Sequence, residues 1–349
     1  MLHSLNIAVA GAGIYGSTIA VHLAKNGCNV SLFDPLGIMR AASAINQYRV
    51  HRGYHYPRSN ETILEILEAR FEFIEEYKAA IVENTEHYYA IPYHGSHTSP
   101  DAFENICDRF SLPLKECSIP WINTGFIEKC YAVDEQIYDP EILRSIITQK
   151  IKFLNIKYIK ARFTKERLND FDYVIYATYG TSGSHIHFFD KVQIQVAEKM
   201  LIYLPEPLQK KSLVVIDGPF TAFDPYGNTK FSLFGSAEHT IHWFTRDPEQ
   251  AIPSLYNILL NGSQFTPVKF THFNKMVEDA KKSVPMASEA EYIGSRFTLR
   301  VVEDNPKEDR RILSVNQTSD KIFHVFSGKI TGAVKAAKLI EKNIKTLVK

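Results

Sequence analysis

The chain has 349 residues, enough for about two domains at a soft prior of roughly 150 residues each. With 45% hydrophobic and 23% charged residues it has a globular composition, which excludes a disordered, collagen-like or coiled-coil protein. Lys and Arg total 40 against 39 Asp and Glu, a net charge of +1, so no charge excess points to nucleic acid or a membrane surface as partner.

Cys28, Cys107, Cys117 and Cys130 form no CxxC pair and no disulfide framework. Reduced thiols in a cytoplasmic protein are expected. Residues 3–24 carry no Asp, Glu, Lys or Arg. A signal peptide is not expected there, because no Lys or Arg precedes the apolar run. A membrane span is not expected either, because Gly11, Gly13 and Gly16 interrupt the run.

Burial in a sheet explains the stretch better. Asn6–Ala10 reads as a short buried parallel strand. GAGIYG follows, then a helix over Ser17–Asn26 with Gly27 as its C-cap, and a second strand over Asn29–Phe33 that ends in Asp34. Gly11 permits the tight turn, Gly13 the approach of a pyrophosphate, and Gly16 close packing of helix on strand. The helix N-terminus turns free N–H groups toward the phosphates. Asp34 is placed to accept both ribose hydroxyls of an adenosine, which disfavours NADP. A lone GxGxxG is a weak signal, but strand, glycines, helix, strand and acid in this order make a dinucleotide fingerprint. The alternative is a glycine-rich turn of another α/β protein. The fingerprint alone leaves FAD and NAD both open.

Residues 41–59, AASAINQYRVHRGYHYPRS, are rich in His, Arg, Tyr and Asn and lack apolar periodicity, as in a loop lining a site. Ser59 caps an expected helix over Asn60–Ile81 with Ile63, Ile66, Leu67, Ile74, Tyr77 and Ile81 as its stripe. Residues 86–135 suit strands and loops. Pro140 starts a helix to Phe153. DYVIYATYG at 172–180 is a buried strand ending in Ala177, Thr178 and Gly180. Residues 191–245 alternate in strand fashion and suit an antiparallel sheet carrying the substrate. HVFSGKITGAVKAA at 324–337 is a strand, Gly328 and a helix start.

The 41–59 segment resembles the second flavin-contacting motif of the D-amino-acid-oxidase-like (DAO) superfamily of FAD-dependent oxidoreductases. It is most similar to the L-2-hydroxyglutarate dehydrogenase/oxidase branch, with its pattern N-x-x-x-x-H-x-G-x-x-Y. Asn46, His51, Gly53 and Tyr56 match that pattern, and Pro57 and Ser59 follow. The strings at 172–180 and 324–337 resemble the family's second glycine motif and its C-terminal flavin motif, so the resemblance spans nearly the whole chain. It implies an α/β (α+β overall) fold: a Rossmann-like FAD-binding domain with an interleaved, mainly antiparallel β substrate domain. The expected FAD-binding domain is discontinuous, from 1–85, 140–190 and 296–349, with 86–139 and 191–295 forming the substrate domain.

The resemblance implies FAD as cofactor. Some relatives attach the flavin through a His where Asn46 stands, so non-covalent FAD is expected. The implied cofactor-binding residues are Gly11, Gly13, Ile14, Tyr15, Gly16, Asp34, Ser43, Asn46, Gln47, Ala177, Thr178, Gly180, Gly328, Lys329, Ile330 and Thr331. A helix N-terminus at Lys329 to Gly332 would offer N–H groups and dipole to the negative charge of a reduced flavin. Lys329 is read either as an added positive charge there or as a solvated helix lysine. Gln47, Tyr48 and Arg49 depart from the hydroxyglutarate branch, which has small or uncharged residues there, so its substrate is not carried over.

Oxidation of a CH–OH group needs a base for the O–H proton, often His, and an anionic substrate needs Arg or Lys. His51 is the first candidate and His55 the alternative. Arg49, Tyr56 and Arg58 are candidates for substrate, and Tyr203, Asp224, Tyr226, His239 and Arg311 are further candidates for lining the site. No metal is expected: the pairs His51/His55, His94/His97, His185/His187 and His239/His242 come with no defined zinc pattern. The expected function is oxidation of a CH–OH or CH–NH group of a small polar, anionic substrate by hydride transfer to flavin. The rivals are an amine or amino-acid oxidase on the same fold, an NAD-dependent sugar dehydrogenase, and a flavoprotein whose FAD is structural. The expected partner is a small molecule, with no nucleic acid and no integral membrane segment; the sequence leaves the oligomeric state open.

Overall fold

The computed structural model of the chain describes residues 2–181, 191–304 and 311–348. His185 and His187 lie outside the described residues.

Asn6–Ala10 is the strand on which the fold is built, and four of its five residues are buried. It pairs in parallel with Asn29–Phe33 on one side and with Tyr173–Tyr176 on the other. The six-stranded sheet runs in the order 314–319, 322–326, 173–176, 6–10, 29–33 and 157–159. Only its outermost pair, Ser314–Ser319 with Ile322–Phe326, is antiparallel. The helices Ile14–Lys25, Pro140–Phe153 and Ala333–Leu347 bury Ile19, Leu23, Leu143, Ile147, Ala336 and Ile340 in one apolar core with Ile7, Val9 and Ile175 of the sheet. The uncharged stretch at 3–24 is thus explained by burial.

The first helix starts at Ile14, three residues before the expected Ser17, with extended Gly13 as its N-cap and Ser17 N–H donating to the Gly13 carbonyl. The Pro140–Phe153 helix has the expected bounds, because Asp139 caps it through Glu141 and Ile142 N–H and Pro140 fills its first turn. The helix capped by Ser59 ends at Glu76, short of the expected Ile81, and the chain tightens into a 3₁₀ turn at Lys78–Ala80.

The second sheet has nine strands, and its central members are Val192–Tyr203, Phe231–Ser236, Thr221–Pro225, Lys211–Val215, Glu86–Pro92 and Ile127–Val133. All its pairings are antiparallel except that of Lys211–Val215 with Glu86–Pro92. Glu291–Glu303 runs along Val192–Tyr203 for its whole length, so the domain boundary expected at 296 falls inside a strand of this sheet. A two-residue ladder, Arg49–Val50 with Gln136–Ile137, ties the loop after the first sheet to the second. No helix among the described residues is long and apolar enough to cross a membrane.

Candidate active site

A cavity of about 1150 Å³ opens where the carboxyl ends of the parallel strands meet the inner face of the larger sheet. Ligands of open α/β sheets bind at these strand ends. The volume exceeds the roughly 300–1000 Å³ of an ordinary small-molecule site.

One end is a dinucleotide cradle. Gly11 has φ +99°, and a Cβ there would stand 2.5 Å from the Ala177 carbonyl oxygen. A Cβ on Gly16 would stand 1.8 Å from the Gly11 carbonyl oxygen, so only glycine lets this helix seat on this turn. Ile14 N–H donates to Ser43 Oγ at 2.9 Å, and the helix has no side-chain cap, so its N-terminus stays turned toward the cavity. Asp34 is fixed by Ala12 N–H at 2.8 Å and by Leu36 and Gly37 N–H at 2.8 and 3.1 Å. Of the residues implied for the cofactor, all line the cavity except Gly16 and Thr331, which sit behind it.

The C-terminal motif differs from expectation in one respect. The helix begins at Ala333 with Gly332 as cap, a turn later than Lys329. Residues 328–332 form the turn itself, anchored where Tyr15 Oη donates to the Lys329 carbonyl at 2.6 Å. The Lys329 ammonium is not solvated. It lies 3.2 Å from Glu65 Oε1 without hydrogen-bond geometry, and it is a buried donor with no hydrogen-bond partner. Burial lowers its pKa, against the pull of Glu65.

The other end carries the candidate chemistry. The Arg49–Val50 ladder sets Glu135 opposite His51. Glu135 Oε1 accepts from His51 Nδ1 at 3.4 Å and from Arg52 N–H at 3.1 Å, and Oε2 accepts from Tyr89 Oη at 2.8 Å. Burial opposes ionisation of Glu135, yet the His51 bond, His51 and Arg49 hold it well below the usual carboxylate range. A carboxylate behind Nδ1 fixes the tautomer and leaves Nε2 of His51 as the other ring atom. His55 packs against His51 with ring centroids 5.2 Å apart, and Arg49 donates to its Nδ1 at 3.5 Å. Burial, then His51 and Arg49, push the His55 pKa well below its ordinary value, so this ring is neutral. Both histidines line the cavity, as do Tyr56, Arg49 and Arg311.

Several expected substrate residues stand elsewhere. Arg49 lines the cavity, but its charge is met: Nε and Nη2 donate to the Asp224 carboxylate at 2.7 and 2.6 Å, and Asp224 also accepts from Ser212 Oγ at 2.7 Å and Gln47 Nε2 at 3.2 Å. Arg58 does not line the cavity and pairs with Asp217. Tyr203 packs on Phe231, and Tyr226 packs on Tyr48 and Phe265 behind the cavity wall. The His239 carbonyl accepts from His272 Nδ1 on the opposite face of the large sheet. These four positions are reached by strands or turns that point away from the strand ends, which sequence spacing does not reveal. In their place four unexpected cations line the cavity, Arg162, Lys165, Lys199 and Arg300, and the last two come from the large sheet. The sequence carries a signal for Lys199: Glu198 and Lys199 are charged neighbours inside an otherwise uncharged strand, and alternation must turn one of them inward.

The cavity fits FAD on three observations: the glycine cradle, a volume larger than one small molecule needs, and a buried Lys329 ammonium in its wall that makes no hydrogen bond. The model of the DAO family, FAD dependent oxidoreductase, matches residues 6–123. The FAD-dependent monooxygenase FPY4 of Fusarium mangiferae is 25% identical over 248 residues, covering 68% of this chain and 65% of that protein. The FAD-dependent monooxygenase kojA of Aspergillus flavus is 28% identical over 263 residues, covering 66% of this chain and 60% of that protein. The matched part therefore spans slightly less than two thirds of these relatives. Glycine oxidase from Geobacillus kaustophilus shares the fold, with a TM-score of 0.70 at 13% identity, over 99% of this chain and 95% of that chain. The match to the DAO family of FAD-dependent oxidoreductases thus covers the N-terminal part of the chain, and the likeness to glycine oxidase shows the fold.

Proposed function

We propose that the chain holds FAD non-covalently and dehydrogenates a small anionic substrate at a carbon bearing a hydroxyl or amino group. The observation that carries this reading is one continuous cavity lined both by the glycine cradle and by His51, Lys199, Arg300 and Arg311. The flavin, when bound, supplies a hydride acceptor. Gly11, Gly13, Ser43 and Asp34 would hold its adenosine diphosphate side, and Gly328, Lys329 and Ile330 would meet its ring side. Asn46 supports non-covalent binding: it stands where some relatives carry the linking His, and its amide is spent on the Ala42 and Ser43 carbonyls, Tyr48 N–H and Tyr138 Oη. The guanidinium of Arg300, steadied by Gln195 Oε1 at 2.6 Å, suits a carboxylate or phosphate.

The test is anaerobic mixing of the FAD-loaded protein with hydroxy acids, amino acids and sugar acids. Bleaching of the flavin by an anionic member, with a keto or imino product, supports the proposal. No bleaching by any member, with FAD bound, leaves the cofactor structural and removes it. The names of the two relatives favour a second reading, in which one oxygen atom of O₂ enters the product, and labelled O₂ separates the two.

A further inference from the structure

Lys199 stands out among the cations of the cavity. Ala197 and Lys199 face the cavity from one side of the Val192–Tyr203 strand. Glu198, between them, faces the other way. There its carboxylate accepts from His242 Nε2 at 2.6 Å, Thr271 Oγ1 at 2.7 Å, His272 N–H at 3.1 Å and Ser295 Oγ. Glu198 is thus fully engaged and gives Lys199 no partner. Arg49 has Asp224, Lys329 has Glu65, and Arg300 has Gln195, whereas Lys199 makes no hydrogen bond or ion pair among the described residues.

The charged groups facing Lys199 are Arg300 from the neighbouring strand, Arg49 from the short ladder, and Asp224 from the Thr221–Pro225 strand. Phe231–Ser236 brings no ionisable group, and Arg296, its register partner, turns to the Gly262 and Ala44 carbonyls. Asp224 is already committed to Arg49, Ser212 and Gln47. A half-buried amine in the cavity wall beside two guanidinium groups, with no acceptor of its own, is arranged to receive a proton only when an anion arrives.

We propose that Lys199 is the base that takes the substrate's hydroxyl or ammonium proton, and that an anionic group of the same substrate on Arg300 strengthens it as it binds. The proposal rests on the dehydrogenase reading above. The substrate O–H or N–H bond breaks with its electron pair left on oxygen or nitrogen, and the Nζ lone pair of Lys199 forms the new N–H bond, giving an ammonium. Burial, then Arg300 and Arg49, bring Lys199 down to about 7, so the free amine is the main form just above neutrality. An anion between Arg300 and Lys199 reverses that bias. The histidines are less suited: His55 is buried, neutral and bonded at Nδ1 by Arg49, and His51 is held by Glu135.

The experiment uses FAD-loaded protein and oxalate, an anion with no hydrogen to give up. Calorimetry at pH 8 in two buffers of different ionisation heat counts the protons taken up. The wild type should take up close to one proton per oxalate, and Lys199→Met and Lys199→Arg, each checked for bound flavin, should take up none. Failure of the wild type to bind oxalate, or binding without proton uptake, overturns the proposal whether or not a substrate is in hand. With a substrate, kcat/KM should rise through pH about 7 to a plateau, and Lys199→Arg should lose about a hundredfold or more, as Lys199→Met does. A Lys199→Arg enzyme with wild-type rate makes the residue an anion contact only and overturns the base. Failure of the functional reading looks different: proton uptake on oxalate is intact, and no substrate bleaches the flavin.

Discussion

Asp224→Asn tests the buried pair that shapes the substrate end of the cavity. Asp224 is fully buried and the Arg49 side chain is 3% exposed, so neither charge is shared with water. Burial opposes the Arg49 charge, and Asp224, together with Tyr89 and Glu135, more than offsets it. Asparagine keeps the shape but leaves a buried guanidinium uncompensated, which costs about 3–5 kcal/mol. With an unfolding entropy of about 2.1 cal/mol/K per residue, 349 residues convert that loss into a fall in Tm of roughly 4–7 °C. Differential scanning calorimetry of the FAD-loaded protein reads it directly. The double variant Arg49→Met/Asp224→Leu removes both charges and should recover most of the loss, because an apolar pair of similar volume often replaces a buried ion pair at little cost. A drop below about 1.5 °C in the single variant would place this pair in the class of solvated surface bridges. A double variant no better than the single would show that the hydrogen bonds to Ser212 and Gln47, and not the charge, hold the site.

Two other outcomes follow from the same geometry. Gly16→Ala sets a methyl 1.8 Å from the Gly11 carbonyl oxygen, so the helix must move off the turn; the variant should lose FAD on gel filtration, and normal retention would show that the turn yields cheaply. His55 has a folded pKa well below the unfolded value, so it contributes stability above about pH 6.5 that is lost as pH falls, with a slope of up to about 1.4 kcal/mol per pH unit. Urea unfolding of His55→Gln between pH 7.5 and 5 should show a flatter acid limb than wild type, and an identical limb would mean that the ring gains its proton without cost in the folded state.

The dinucleotide end was readable from the sequence, because its physics is local. Glycines at Gly11, Gly13 and Gly16, a strand before them and Asp34 after the next strand sit within one supersecondary unit, and backbone sterics determine their places. The substrate end was read only in part. His51, His55, Tyr56 and Arg49 came from a loop whose composition marked it, and the structure sets all four in the cavity wall. Arg58, Tyr203, Tyr226 and His239 are of suitable residue type, yet none lines the cavity, because their direction depends on how the nine-stranded sheet packs on the six-stranded one. Glu135, 84 residues from His51, is brought to it by the two-residue ladder, a pairing too short to leave a periodic pattern. Lys199 and Arg300 lie on adjacent strands separated by about a hundred residues of chain, and only the register of Gln195 against Arg300 shows that they share a face.

The central claim, that this cavity holds FAD and does so without a covalent bond, is tested most directly by the flavin content of the protein after reconstitution with FAD and after acid denaturation. The account predicts one FAD per chain in the folded protein and all of it released to the supernatant on denaturation. A protein that stays colourless, or flavin that stays with the precipitated chain, would contradict it.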